Sequence, residues 1–296
     1  MPNNRVFYAS QGVKVGGTTV QGAQSAGVTT NFNLEQAFQL GQLAIYDNII
    51  TDPEVTVTIS KVLDGRPTVW QLATGGGSLV NNANDVATVV IGVGDDTDDA
   101  LTSTTAITCT GMFISSVSYA FPVDGNFTEE VTLVGNHKSL EGSVSAPSAS
   151  GSVVLRRQNL ASSTLPSEVD GQNITNITVS ADLGRESMYK LGQYGPFHRF
   201  VNFPLEVTTE IEVSATGVDT TELDLSLVNC VSSGLPSEQE IIINLCEGSG
   251  GTTYYRFNMG TKNRLQSVNY SGGDTGGGNA TITYTYVTYN ELSISG

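Results

Sequence analysis

The sequence is short of basic residues, cysteine, charge in general and long apolar runs, and each shortage excludes something. Thirteen Lys+Arg stand against 29 Asp+Glu, a net charge of −16. Nucleic-acid binding is driven by counterion release onto basic side chains, so a chain this acidic repels phosphate, and sequence-reading nucleic-acid binding is excluded. Three cysteines, Cys109, Cys230 and Cys246, are too few and too scattered for a disulfide framework or a zinc site. No apolar run approaches the roughly 20 residues that cross a bilayer. Met1-Pro2-Asn3-Asn4-Arg5 leads into no apolar core, so no secretory signal is expected, and synthesis in a reducing cytoplasm is. Charged residues make up 14% of the chain, against roughly 25% in an average domain. Glycine (33 of 296 residues), Thr, Ser, Asn and Val fill the gap, which is the composition of short strands joined by many turns.

The chain repeats itself. Leu40-Gly41-Gln42 recurs as Leu191-Gly192-Gln193, Pro53 as Pro204, and Ser116-Val117-Ser118-Tyr119 as Ser267-Val268-Asn269-Tyr270, each 151 residues later. Val28 matches Val179, Glu35 matches Glu186, and Phe38/Tyr189 and Tyr46/Phe197 exchange one aromatic for another. Six identities fall in the 26 positions from 28 to 53, where chance gives about two. The reading is a duplication, with one unit over 1–148 and its copy over 149–296, meeting in the small, polar stretch 139–152. Charge divides evenly: 5 basic and 14 acidic residues in 1–150 leave −9, and 8 and 15 in 151–296 leave −7.

Each unit is expected to be mainly β, strands and hairpins with one short flanking helix. The helices are placed at Asn33 to Leu40, with Asn33 and Gln36 as a near capping box, and at Gly184 to Leu191, ended by Gly41 and Gly192. Alternation of apolar and polar residues predicts half-buried strands at 54–59 and 206–213. Further strands are expected at Val86–Val93, Glu240–Leu245 and the Ser-Val-x-Tyr segments. The last of these turn back onto Glu130–Val134 and Thr281–Tyr289, and Val153-Val154-Leu155 restarts a strand.

Catalytic, cofactor-binding and metal-binding constellations are not found. His137 and His198 stand beside no nucleophile turn and read as surface histidines. Asp95-Asp96-Thr97-Asp98-Asp99 lacks the alternation and closing Glu of a calcium loop, and reads as a solvated connection. The glycine loop 272–278 has no Gly-Lys-Ser/Thr, enters a strand, and reads as a hairpin tip. Trp70 reads as core rather than as a sugar platform.

Phe32-Asn33-Leu34-Glu35-Gln36-Ala37-Phe38-Gln39-Leu40-Gly41-Gln42 and Tyr119-Ala120-Phe121-Pro122-Val123-Asp124-Gly125-Asn126-Phe127-Thr128-Glu129 resemble tail tube proteins of tailed bacteriophages. So do Gly192-Gln193-Tyr194-Gly195-Pro196-Phe197, Val201-Asn202-Phe203-Pro204 and the glycine-rich terminal hairpin. The resemblance implies a non-enzymatic virion protein without cofactors, whose rings stack into a hollow tube that phage DNA traverses without sequence-specific binding. It implies two tandem β-sandwich or half-barrel units, each with one short flanking helix, and self-association through sheet edges around an acidic lumen. Sheath, tape-measure and baseplate proteins are the implied partners, with no membrane involved, and the virion tail is the implied location. A duplicated chain suggests a pseudo-sixfold ring of three copies, with a true hexamer as the alternative. A trimeric tail-tip hub and a carbohydrate-binding or adhesive β-sandwich are the other readings.

The expected edge strands carry Val55, Val57 and Ile59; Val131 and Leu133; Val207, Ile211 and Val213; and Ile282, Tyr284 and Tyr286. The stretch 10–31 reads as an extended arm reaching a neighbouring ring. A proline at Thr283 is expected to abolish assembly and leave a soluble chain.

Overall fold

The computed structural model describes residues 11–94, 105–145, 147, 153–215, 237–247, 251, 253–272 and 279–296. The chain is mainly β, as its composition predicts. The strands over the first half are β1 (Gln11–Val15), β2 (Thr18–Thr19), β3 (Ala23–Phe38), β4 (Ile45–Val62), β5 (Ala87–Val93), β6 (Thr105–Pro122), β7 (Thr128–Gly135) and β8 (His137–Ser139). Over the second half they are β9 (Ile174–Asp182), β10 (Arg185–Met188), β11 (His198–Val201), β12 (Glu206–Ser214), β13 (Ile242–Cys246), β14 (Thr253–Asn258), β15 (Arg264–Ser271), β16 (Thr281–Tyr289) and β17 (Ser293–Ser295). Two short helices, α1 (Val69–Thr74) and α2 (Leu79–Asn82), follow β4.

The backbone of the fold is a run of eight neighbouring antiparallel strands, β3-β4-β7-β6-β9-β12-β16-β15. Its second four strands repeat the order and register of its first four. Ala26 opposes Ile59 and Val28 opposes Val57 in β3–β4, as Ile177 opposes Ile211 and Val179 opposes Thr209 in β9–β12. Tyr119 opposes Glu129 as Tyr270 opposes Ile282. The offset is 151 from β3 to β9 and from β6 to β15, 152 from β4 to β12, and 153 from β7 to β16. The central bond of the run is β6–β9, from Ser116↔Asp182 to Pro122↔Asn176.

The first part of β6 leaves this sheet to pair with β5 and β8, and β5 pairs with β1. In the second half β14 pairs likewise with β13 and β17, and residues Leu160 and Thr164 bridge to β13. One face of the eight-strand run packs against these layers and α1. The core so formed holds Val57, Ile59, Trp70, Tyr119, Leu133, Val179, Ile211, Phe257 and Tyr286. Trp70 is core, as read from the sequence.

Several sequence expectations are corrected. Both predicted helices are extended: 33–38 belongs to β3, and 185–188 forms β10. Phe32, Leu34, Phe38 and Leu40 recur at even spacing, a strand period, and Ile45–Ile50 supplies a matching partner strand. Gly41 and Gly192 do not end helices but sit in the hairpin turns, at φ of +88° and +86°. The real capping box is Thr68-x-x-Gln71: the Thr68 hydroxyl accepts from Gln71 N–H, and Gly75 closes α1 in the left-handed conformation. The stretch 10–31 is no free arm where described, since β1, β2 and the start of β3 are built into sheets. Residues 153–155 form no strand. The acidic cluster 95–99 and positions 273–278 of the glycine loop lie outside the described residues.

Candidate functional site

Among the described residues the eight-strand run has two free edges, and they are not the predicted ones. β4 lies between β3 and β7, β7 between β4 and β6, β12 between β9 and β16, and β16 between β12 and β15. Their backbone groups are therefore taken up within the chain. Val55, Val57, Ile59, Val131, Leu133, Val207, Ile211, Val213, Ile282, Tyr284 and Tyr286 all point into the core and are buried. Alternation identified the apolar face of each strand but carries no information about which strand is last in the sheet. Thr283 sits mid-strand between Glu212 and Asn269, so a proline there attacks the fold rather than an edge. Among the described residues the free edges are β3, bonded only to β4, and β15, bonded only to β16. The recurrence at an offset of 151 already relates these two strands to β9 and β6, the pair that joins the halves inside the chain.

The face opposite the core is hydroxylic and acidic. Thr56, Thr58 and Ser60 on β4, Thr132 on β7, Ser116 and Ser118 on β6, Thr178 and Ser180 on β9 and Thr283 and Thr285 on β16 alternate with the buried residues. Glu130, Asp182, Glu210 and Glu212 share that face. Among the described residues, these alternate positions from β4 to β16 carry no lysine or arginine. Such a surface stays wetted and repels polyanions.

Two hairpins extend beyond the sheet at matched positions. In the first, Leu34 opposes Ile50 and Ala37 opposes Asp47; in the second, Arg185 opposes Val201 and Met188 opposes His198. The second hairpin is seated on the first half by polar contacts. Tyr189 Oη donates to Asp52 Oδ2 at 2.9 Å, and Tyr194 Oη to the carbonyls of Ile50 and Thr51 at 2.7 Å each. Arg199, buried, pairs with Glu54 at 3.1 Å and donates to Asn136 Oδ1 at 2.9 Å. Arg185 donates to the carbonyls of Ile114 at 2.7 Å and Ala83 at 2.5 Å, with its guanidinium over the Phe113 ring. Burial, then the nearby Arg199, pull the pKa of Arg185 down to about 10, so it keeps its charge at neutral pH. Both hairpins also carry exposed apolar side chains, Phe32, Leu34, Phe38, Leu43, Ile49 and Ile50 on the first and Met188, Tyr189, Leu191, Tyr194 and Phe197 on the second. Apolar side chains gathered at a hairpin in this way mark a candidate interaction surface.

Beneath the sheet, Glu129 is fully buried and accepts from Val69 N–H at 2.7 Å, Trp70 N–H at 3.0 Å and Tyr119 Oη at 3.0 Å. It thereby holds the first turn of α1. Burial, only partly offset by these bonds and by Lys61, pushes its carboxyl up from the ordinary glutamate range. Lys61, also buried, is bonded to Asp64 at 2.9 Å. These groups tie α1 to β4 and β7. His198 packs between Phe113 and Phe200, with ring centroids 4.9 and 4.2 Å away, so it is a packing residue and not a free surface imidazole; His137 is exposed.

Among the described residues no cluster of three or more His, Cys, Asp or Glu is placed to hold a metal ion. No helix among them is long and apolar enough to cross a membrane. No protein-family model matches the chain, and no curated protein matches it.

Proposed function

We propose that the chain is a duplicated ring-forming subunit of a phage-type tail tube, each half a tube unit. The carrying observation is the pairing of β6 with β9. β15 corresponds to β6 and β3 to β9, so the two free edges are the two halves of a junction already made once inside the chain. Repeating that junction between copies is a head-to-tail contact, which closes into a ring when the rotation allows. Three copies supplying six units are the favoured closure. Exposed backbone edges that a monomer must blunt then become the interface.

The face lined by Thr, Ser, Glu130, Asp182, Glu210 and Glu212 would line the lumen. DNA passing through needs a wetted wall that does not grip phosphate, and this face supplies one. Stacking into a tube would use the hairpin tips, where Leu40 and Leu191 are fully exposed at matched positions.

Negative-stain electron microscopy of the purified protein tests the reading. Hollow stacked rings with three chains per ring are expected. Single rings that never stack favour the tail-tip hub, and monomers at high concentration overturn ring formation.

A further inference from the structure

The in-chain junction shows how a hairpin is seated beside each β6–β9 bond, and the offset says what the matching seat is made of between copies. Tyr189 corresponds to Phe38, and its partner Asp52 corresponds to Phe203. Arg199 corresponds to Asn48, and its partner Asn136 to Tyr289 at the β7-to-β16 offset of 153. Two polar partners are thereby replaced by aromatic ones, Asp52 by Phe203 and Asn136 by Tyr289, while Glu54, the ion-pair partner of Arg199, corresponds to Glu206 and stays acidic. Phe38 is 68% exposed, Phe203 47% and Tyr289 54%, although all three carry large apolar surfaces.

Resting on the ring reading above, we infer that the β3–β4 hairpin of one copy seats on Phe203 and Tyr289 of a neighbouring copy, with Phe38 in the place that Tyr189 holds within the chain. The occupant is a second copy of this chain, because the same sequence supplies both halves of the contact. The in-chain seat joins parts already tethered, and hydrogen bonds suffice to orient them. A contact between separate chains must also offset lost translational and rotational freedom, and apolar burial is the larger source of association free energy. Aromatic residues are enriched in such interfaces. The exchange of Asp52 and Asn136 for Phe203 and Tyr289, with Phe38 in place of Tyr189, therefore falls where the physics calls for it.

The test uses full-length chains with Cys230 and Cys246 replaced by serine. Phe38→Cys and Phe203→Cys chains are purified separately, mixed, and treated with a short bismaleimide. Cross-linked dimers joining positions 38 and 203, formed in the mixture and in neither chain alone, are expected. Rings of the unsubstituted chain by microscopy, without that cross-link, would overturn the seating and leave the ring reading standing. Absence of both rings and cross-link would overturn the two together. In parallel, Phe38→Asp is expected to raise the concentration for half-assembly by about tenfold or more with an unchanged circular dichroism melt. An unchanged assembly concentration would also overturn the seating.

Discussion

Tyr119 and Tyr270 occupy matched positions 151 residues apart, the first opposite Glu129 and the second opposite Ile282. Tyr119 is fully buried, with the ring of Phe257 4.8 Å away, whereas Tyr270 is 59% exposed. The difference is not chemical but topological: among the described residues β6 has neighbours on both sides, and β15 has one.

Tyr270→Asp is therefore expected to leave the fold intact, within about 0.5 kcal/mol, because the side chain is a surface one. Ring formation is expected to fail, since the substitution places a desolvated charge in the proposed junction. Thr283→Pro is expected to do the reverse damage, removing a ladder bond from an interior strand at a cost of roughly 3 kcal/mol or more. Light scattering after size exclusion separates assembly from folding, which thermal melts report. Intact rings from Tyr270→Asp would remove β15 from the interface.

Glu129→Gln is expected to cost about 1–3 kcal/mol, since an amide cannot accept from Val69, Trp70 and Tyr119 with both its heavy atoms. The pH dependence has a definite sign. Burial raises the native pKa of Glu129 above its unfolded value, so the folded state binds the extra proton between the two. Stability from this group is fully present below the ordinary glutamate pKa and is lost as pH rises through the native one. The gap in unfolding free energy between the parent and Glu129→Gln should thus narrow as pH rises, measured by urea unfolding from about pH 4 to 8.

Gly77→Ala is expected to destabilise the chain by about 1–3 kcal/mol. A Cβ on Gly77 would lie 1.8 Å from the carbonyl oxygen of Ile294, in the last strand, where Ile294 N–H also donates to Gly77. The backbone contact leaves no side chain to move aside. Hydrogen exchange should show lost protection at 293–295 before other strands; uniform protection would argue against this docking.

Glu210→Lys with Glu212→Lys is expected to make assembled tubes retain double-stranded DNA, with affinity falling steeply as salt rises. Each added lysine contacting phosphate should steepen the salt slope by about 1. Equal retention by parent and variant, assayed by filter binding, would place the acidic face outside the channel.

Much of this molecule is local and was legible. Alternation marked the strands around Val57, Ile211 and Tyr284 and their apolar faces, because a period of two follows from strand geometry alone. The recurrence read at an offset of 151 reappears in the ladders, where it runs from 151 to 153 strand by strand. Thr68-x-x-Gln71, which the sequence reading missed, carries the same kind of signal as Asn33-x-x-Gln36. What separated them was a partner: Asn33 has Asp52, whose carbonyl accepts from its side chain at 2.9 Å, and a long antiparallel strand beside it.

The order of strands lay beyond the sequence. A buried interior strand and an edge strand of one sheet share the same alternation, and only long-range pairing tells them apart. Composition and periodicity thus determined a mainly β chain with an acidic surface and a repeat. The tertiary structure decided that Val55 and Tyr286 are core, and that, among the described residues, β3 and β15 are the strands paired along one side alone in the eight-strand run. The physical reason is that a strand's side-chain pattern records which face is buried, whereas its edge is defined by backbone groups that every residue except proline carries alike.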